Sequence, residues 1–229
     1  YGDSQLIVDF FTEKLGRLSF IVRVPKSSKA KAKRQLFQPL MILNLEFDYR
    51  PKASLQKMRD ASISVPFADI PFSPYKLTMS MFLAELLGYA TRAEQQGDAL
   101  FHFLMDSILW LDQAASNFSN FHIVFMIKLT AYLGFSPNIE SGAGMDYFDL
   151  VDGCFVSAVP THRNYLDAED SMRMVHLLRL DYKTMHLYTM SRSDRNRCIE
   201  VLLLYYRIHL PSFPELKSYS VLKDMFSTM

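Results

Sequence analysis

Cysteine is nearly missing from this 229-residue sequence, which holds only Cys154 and Cys198. Two are too few for a disulfide framework or a cysteine-built zinc site, and they suit a reducing compartment. No stretch reaches the roughly 18 apolar residues of a membrane-crossing helix, and no basic-then-apolar leader opens the chain. A glycine-rich phosphate loop, GxSxG, HExxH and any informative Cys/His spacing are all lacking, so no enzyme class is indicated. A net charge of +1, with 49% apolar and 21% charged residues, excludes a disordered or supercharged tail. The expectation is a cytoplasmic globular protein that needs neither disulfide nor metal, since a chain of this length buries about 70% of its unfolded surface. The chain opens at Tyr1 and not at Met, and a further segment ahead of it is expected.

What is present is unevenly distributed. Residues 1–74 carry 12 Lys+Arg against 7 Asp+Glu, a surplus of +5, and the remainder carries 13 against 17, a deficit of −4. Periodicity changes at the same place. Up to about residue 65 apolar residues alternate or run in short β-branched stretches, and beyond Pro74 they recur at helical spacing. Pro66, Pro71 and Pro74 punctuate the boundary. The reading is an α+β chain with a small β-barrel over 1–66, a linker at 67–74, and an all-helical domain over 75–229 with a long loop at about 134–166.

Strands are expected at about 5–12, 18–24, 37–49 and 53–65. A small barrel of the five-stranded oligonucleotide/oligosaccharide-binding type needs one more strand, which the segment ahead of Tyr1 would supply. Helices are expected at about 74–93, 98–114, 118–133, 167–189 and 193–209, with Asp167 and Ser193 as N-caps. The helix at 118–133 is apolar nearly all round, which marks it as the centre of a bundle.

The densest chemical signal is the stretch from Arg23 to Arg34, with Arg23, Lys26, Lys29, Lys31, Lys33 and Arg34 and no acid among them. Like charges so close together call for an anionic partner, and on a β-unit of this type that partner is a nucleic-acid backbone. Phe20, Phe37, Phe47 and Tyr49 are the aromatic residues able to stack on bases, although some must fill the barrel. Asp146, Asp149 and Asp152 invite a metal reading, but their spacing suits turn-forming acids better. His176 and His186 lie almost three helical turns apart and suggest no site.

Several segments in this order carry a resemblance. They are YGDSQLIVDFFTEKLGRLSFIVRVPKSSKAK, LFQPL, LTAYLGFSPN, DYFDLVDGCFV and HLPSFPELKSYSVL. Together, over almost the whole chain, they resemble the bacterial recombination mediator family RecO. The resemblance implies an N-terminal OB-fold, a helical domain, no catalysis and no cofactor. It implies binding of single- and double-stranded DNA, annealing of complementary strands, and work with RecR and single-stranded-DNA-binding protein to help load RecA, in the cytoplasm at the nucleoid. It also implies that the basic residues 23–34 meet DNA.

Many relatives of this kind carry a four-cysteine zinc site after the LGY step. Here Cys154 falls near the second cysteine pair and Ser157 stands where a ligand would be, so no metal is expected. The family's partner tail ends in acids and a Pro-Phe carboxylate. Lys128, the only charged residue between Asp112 and Glu140, is the expected cation for it, with Phe121, Phe125 and Leu129 lining an apolar slot. Arg173, Arg179 and the group Arg192, Arg195 and Arg197 come next. Two alternatives come from other classes: a magnesium nuclease built on Asp146, Asp149 and Asp152, and a generic single-strand or RNA-binding OB-fold protein.

Overall fold

The computed structural model describes residues 5–23, 34–92, 97–138 and 146–225. They fall into two compact units, Tyr1–Gln113 and Ala114–Met229. The sequence boundary at 67–74 and this spatial division differ in where the first two helices are grouped.

In the first unit, β1 (Gln5–Thr12) turns into β2 (Gly16–Arg23) through a loop that Thr12 closes, its hydroxyl donating to the Gly16 carbonyl at 2.8 Å. Gly16 sits at φ +63°, where a side chain would be strained. The strands β3 (Ile42–Phe47) and β4 (Gln56–Val65) complete an open sheet of order β1-β2-β4-β3. β2 and β4 run parallel with Phe20 opposite Gln56, and the other neighbours are antiparallel. This order, with β2 and β4 parallel, is consistent with an OB-type sheet, and no closed barrel forms among the described residues. Alternation places Leu6, Val8, Phe10, Leu18, Phe20 and Val22 on one face. There Phe20 meets the Phe10 and Phe47 rings edge to face at 5.4 and 4.8 Å.

Helix α1 (Pro74–Ala90) starts where Ser73 accepts a bond from the Lys76 N–H and Pro74 supplies a fixed φ. Helix α2 (Asp98–Gln113) ends at a buried latch. The Asp112 carboxylate accepts the N–H groups of Ala68, Asp69 and Ile70 at 2.8, 3.0 and 2.9 Å. Lys76, wholly buried, donates to the Asp112 carbonyl at 3.0 Å and pairs with Asp69 at 2.7 Å. The proline-rich linker is thereby fastened to both helices.

In the second unit, α3 (Phe121–Tyr132) is buried along nearly its whole length, in agreement with its all-round apolar composition. The segment read as a loop holds a three-stranded sheet of order β6-β5-β7, made of β5 (Tyr147–Asp149), β6 (Cys154–Val156) and β7 (Tyr165–Leu166). Its strands are two or three residues long, below the length at which alternation is visible in a sequence.

Helix α4 (Ala168–Leu178) begins at Asp167 as expected, its side chain accepting from the Asp170 N–H. It stops well short of residue 189. Asp181 accepts the N–H groups of Lys183 and Thr184 at 2.8 and 2.7 Å, a local turn that competes with helix continuation, and a 3-10 turn follows at Met185–Leu187. The cap of α5 (Arg192–His209) is Ser191 and not Ser193, because Asp194 at the third helical position completes a capping box with it. A final helix α6 (Ser218–Met225), not foreseen, buries Leu222. No helix among the described residues is long and apolar enough to cross a membrane.

Candidate nucleic-acid interface

Of the basic cluster, Arg23 ends β2 and Arg34 precedes the segment leading to β3; both are exposed. Lys26, Lys29, Lys31 and Lys33 lie outside the described residues. Among the four aromatic residues, Phe20 is fully buried and Phe37 and Phe47 pack against the Phe10 and Phe20 rings, so these three serve the core. Tyr49, immediately after β3, is 47% exposed.

The turn that follows, a tight connection legible from Arg50-Pro51-Lys52, carried no functional reading in the sequence. Arg50–Ala53 closes with the Ala53 N–H donating to the Arg50 carbonyl at 3.0 Å. Gln56, only 2% exposed, braces it: its Oε1 accepts the Arg50 N–H at 3.0 Å, and its Nε2 donates to the carbonyls of Arg50 and Ala53 at 2.9 and 3.1 Å. The next residue, Lys57, lies opposite Ile21 on the outer face of the sheet, as strand alternation requires. A basic residue alone on a strand gives no sequence signal; only pairing shows which face it shares.

The three aspartates do not gather. Asp149 is buried, its Oδ1 accepting the N–H groups of Val151 and Asp152 at 2.8 and 3.1 Å and its Oδ2 facing His162 Nε2 at 3.1 Å. Since His162 Nδ1 accepts the Asn164 N–H, the ring proton belongs on Nε2, where it donates to Asp149. Both carboxylate oxygens are thus used in holding the turn, and no group of three metal-ligating side chains occurs among the described residues. Burial, reinforced by Asp152 and Asp149, pushes the Cys154 thiol above its ordinary range, away from thiolate chemistry. His176 stacks on Tyr188 at 5.5 Å.

The short sheet is held by packing. Phe148 and Phe155 meet at 4.8 Å, the Tyr205 hydroxyl donates to the Phe135 carbonyl at 2.9 Å, and His209 Nε2 donates to the Leu150 carbonyl at 2.9 Å. At Gly153, with φ +65°, a Cβ would stand 2.7 Å from the Tyr205 hydroxyl.

Around Lys128 the expectation needs correcting in part. Lys128 is partly exposed on α3, but Phe121, Phe125 and Leu129 are 1%, 1% and 0% exposed and belong to the core. Phe121 stacks on Tyr182 at 5.0 Å. A helix apolar nearly all round commits most of its surface to the core, and these three residues line no surface slot. Tyr132, one turn beyond Lys128 on the same face, is 42% exposed.

The other cations considered are largely engaged. Arg173 pairs with Glu169, Asp170 and Asp194, Arg197 pairs with Asp170, and Arg195 donates to Asn120 and the Met190 carbonyl. Arg192 donates to the Lys223 carbonyl, and Arg179 is exposed.

Comparison with known proteins places these features in a family. The family model described as Recombination protein O N terminal matches residues 1–67, and Recombination protein O C terminal matches residues 71–219. A DNA repair protein RecO of Phocaeicola vulgatus is 46% identical over 227 residues, covering 99% of this chain and 94% of that protein. Those of Bacteroides fragilis and Christiangramia forsetii are 44% and 33% identical with the same coverage. With both regions matched in order across nearly its full length, the chain belongs to the recombination protein O family.

Proposed function

We propose that this protein is a mediator of DNA repair and recombination. It binds single- and double-stranded DNA, anneals complementary strands, and acts with RecR and single-stranded-DNA-binding protein to promote RecA loading. The observation that carries this reading is membership of the recombination protein O family across both regions, relatives of which are named DNA repair proteins. Physical chemistry supports it. Two strands that each carry one negative charge per ~3.4 Å repel until cations neutralise them, and neutralisation requires no catalytic step. The surplus of five positive charges in residues 1–74 suits that task.

In this reading residues 1–66 form the DNA-binding module, joined by 67–74 to the helical part. Arg23, Lys26, Lys29, Lys31, Lys33 and Arg34 meet phosphates. Lys128 takes the terminal carboxylate of the single-stranded-DNA-binding protein's tail, with Tyr132 as its exposed aromatic neighbour. No cofactor is assigned, and the site of action is the cytoplasm at the nucleoid. The nuclease alternative is disfavoured by Asp149, whose two oxygens are already occupied.

The test is annealing of complementary strands already coated with the cognate single-stranded-DNA-binding protein, without ATP or added metal. Acceleration over the protein-free rate is expected; the spontaneous rate would overturn the proposal.

A further inference from the structure

We propose that Tyr49, Arg50, Lys52 and Lys57 form a rigid contact surface for single-stranded nucleic acid, held in shape by Gln56 and distinct in sequence from the basic stretch 24–33. The inference rests on the DNA-binding reading above and deepens it.

Three observations converge. The first is charge without neutralisation: Arg50, Lys52 and Lys57 are exposed and make no side-chain ion pair among the described residues. Other basic residues of the sheet differ, since Arg17 pairs with Asp9 at 2.8 Å and Arg59 with Asp48 at 2.6 Å. Cations left open beside others that are paired, as Arg17 and Arg59 are, are available to an external anion.

The second is rigidity. A polar side chain as buried as Gln56 must spend its hydrogen bonds, and here all three go to the backbone of one turn. Pro51 fixes a further φ within that turn. Arg50 and Lys52 therefore project from a preset backbone, and Lys57 follows Gln56 directly on β4. A preset cation loses less freedom when it meets a phosphate than one on a mobile loop.

The third is the aromatic ring. Tyr49 abuts the turn and is 47% exposed, whereas Phe10, Phe20, Phe37 and Phe47 are packed inward. A ring beside backbone-binding cations is the arrangement by which single strands are held without sequence preference, base on ring and phosphate on cation. A duplex keeps its bases stacked internally and offers only phosphates. The acidic neighbours Glu46 and Asp60, opposite each other on β3 and β4, repel a phosphate chain and confine the track to the β2 side, where Lys57 lies beside Ile21.

Two variants of the full chain test this by fluorescence anisotropy with labelled oligonucleotides across a salt series. R50Q/K52Q/K57Q should flatten the slope of log affinity against log salt by about 2 on single strands, at ~0.7 per lost phosphate contact. Tyr49→Ala should weaken single-strand binding about ten-fold, leave duplex binding unchanged, and be rescued by Tyr49→Phe. If the parent binds DNA and both variants, shown folded by circular dichroism, keep its affinity and slope, this surface is refuted while the DNA-binding reading stands. If the parent binds neither form of DNA, the functional reading itself falls.

Discussion

Individual buried residues set how this protein responds to acid. His122, wholly buried on α3, is held neutral: burial, and then the nearby Arg195 charge, push its pKa down to about 3. The unfolded chain titrates near 6.5, so the folded state binds fewer protons than the unfolded one below that pH. The stabilisation is complete above pH ~6.5 and drains as pH falls toward 3, by up to about 1.4 kcal/mol per unit. Asp112 is affected oppositely by two influences. Burial raises its pKa, but the three N–H bonds and Lys76 outweigh burial and hold it below the usual range. Its contribution is lost only at lower pH, as the carboxylate protonates. The two are therefore separable in urea denaturation, where His122→Gln should flatten the fall in stability between pH 6 and 4.5. An unchanged slope in that window would show that another group is responsible.

At the level of elements, ends matter more than middles. The capping box at the start of α5 joins Ser191 and Asp194 in both directions, with Asp194 Oδ2 accepting from the Ser191 hydroxyl at 2.6 Å. Ser191→Ala should cost about 1 kcal/mol, and Ser193→Ala, inside the first turn, less than about 0.5 kcal/mol. Thermal denaturation of the two variants checks this, and a larger loss at Ser193 would reinstate the cap read from sequence. The break after Leu178 has a similar local cause in the Asp181 turn. Neither feature was legible beforehand, because a helical apolar pattern runs on through residues 179–189 and two serines flank one helix start. Asp167, with no competitor beside it, was read correctly.

On the scale of the whole molecule, the function proposed above divides two tasks between the two compact units. DNA contact is assigned to the basic N-terminal stretch and its sheet, and tail contact to Lys128 in the other compact unit. Separable tasks predict separable losses. Lys128→Ala and Lys128→Glu should weaken binding of a fluorescent tail peptide by about 1.5–3 kcal/mol, the scale of a charge-assisted hydrogen bond, with DNA affinity unchanged. Unchanged tail affinity in a folded Lys128→Glu variant would move the site to Arg179, which is exposed on the same compact unit.

The sequence by itself determined the four N-terminal strands with the helices that follow them, and the span of β1, because alternation and helical periodicity are local and survive without knowledge of neighbours. It also determined that α3 is central, since a helix apolar nearly all round has little to give to water. The family, too, was legible, since it rests on residues in order and not on their contacts. Tertiary structure alone decided which of Phe20, Phe37, Phe47 and Tyr49 faces solvent, and that Phe121, Phe125 and Leu129 are spent on the core. It also decided that a buried glutamine braces the turn carrying Arg50 and Lys52. The physical reason is common to all three. Exposure and shared faces depend on pairing between residues distant in the chain, and the same phenylalanine or lysine reads identically whether its partner is a neighbouring strand or water.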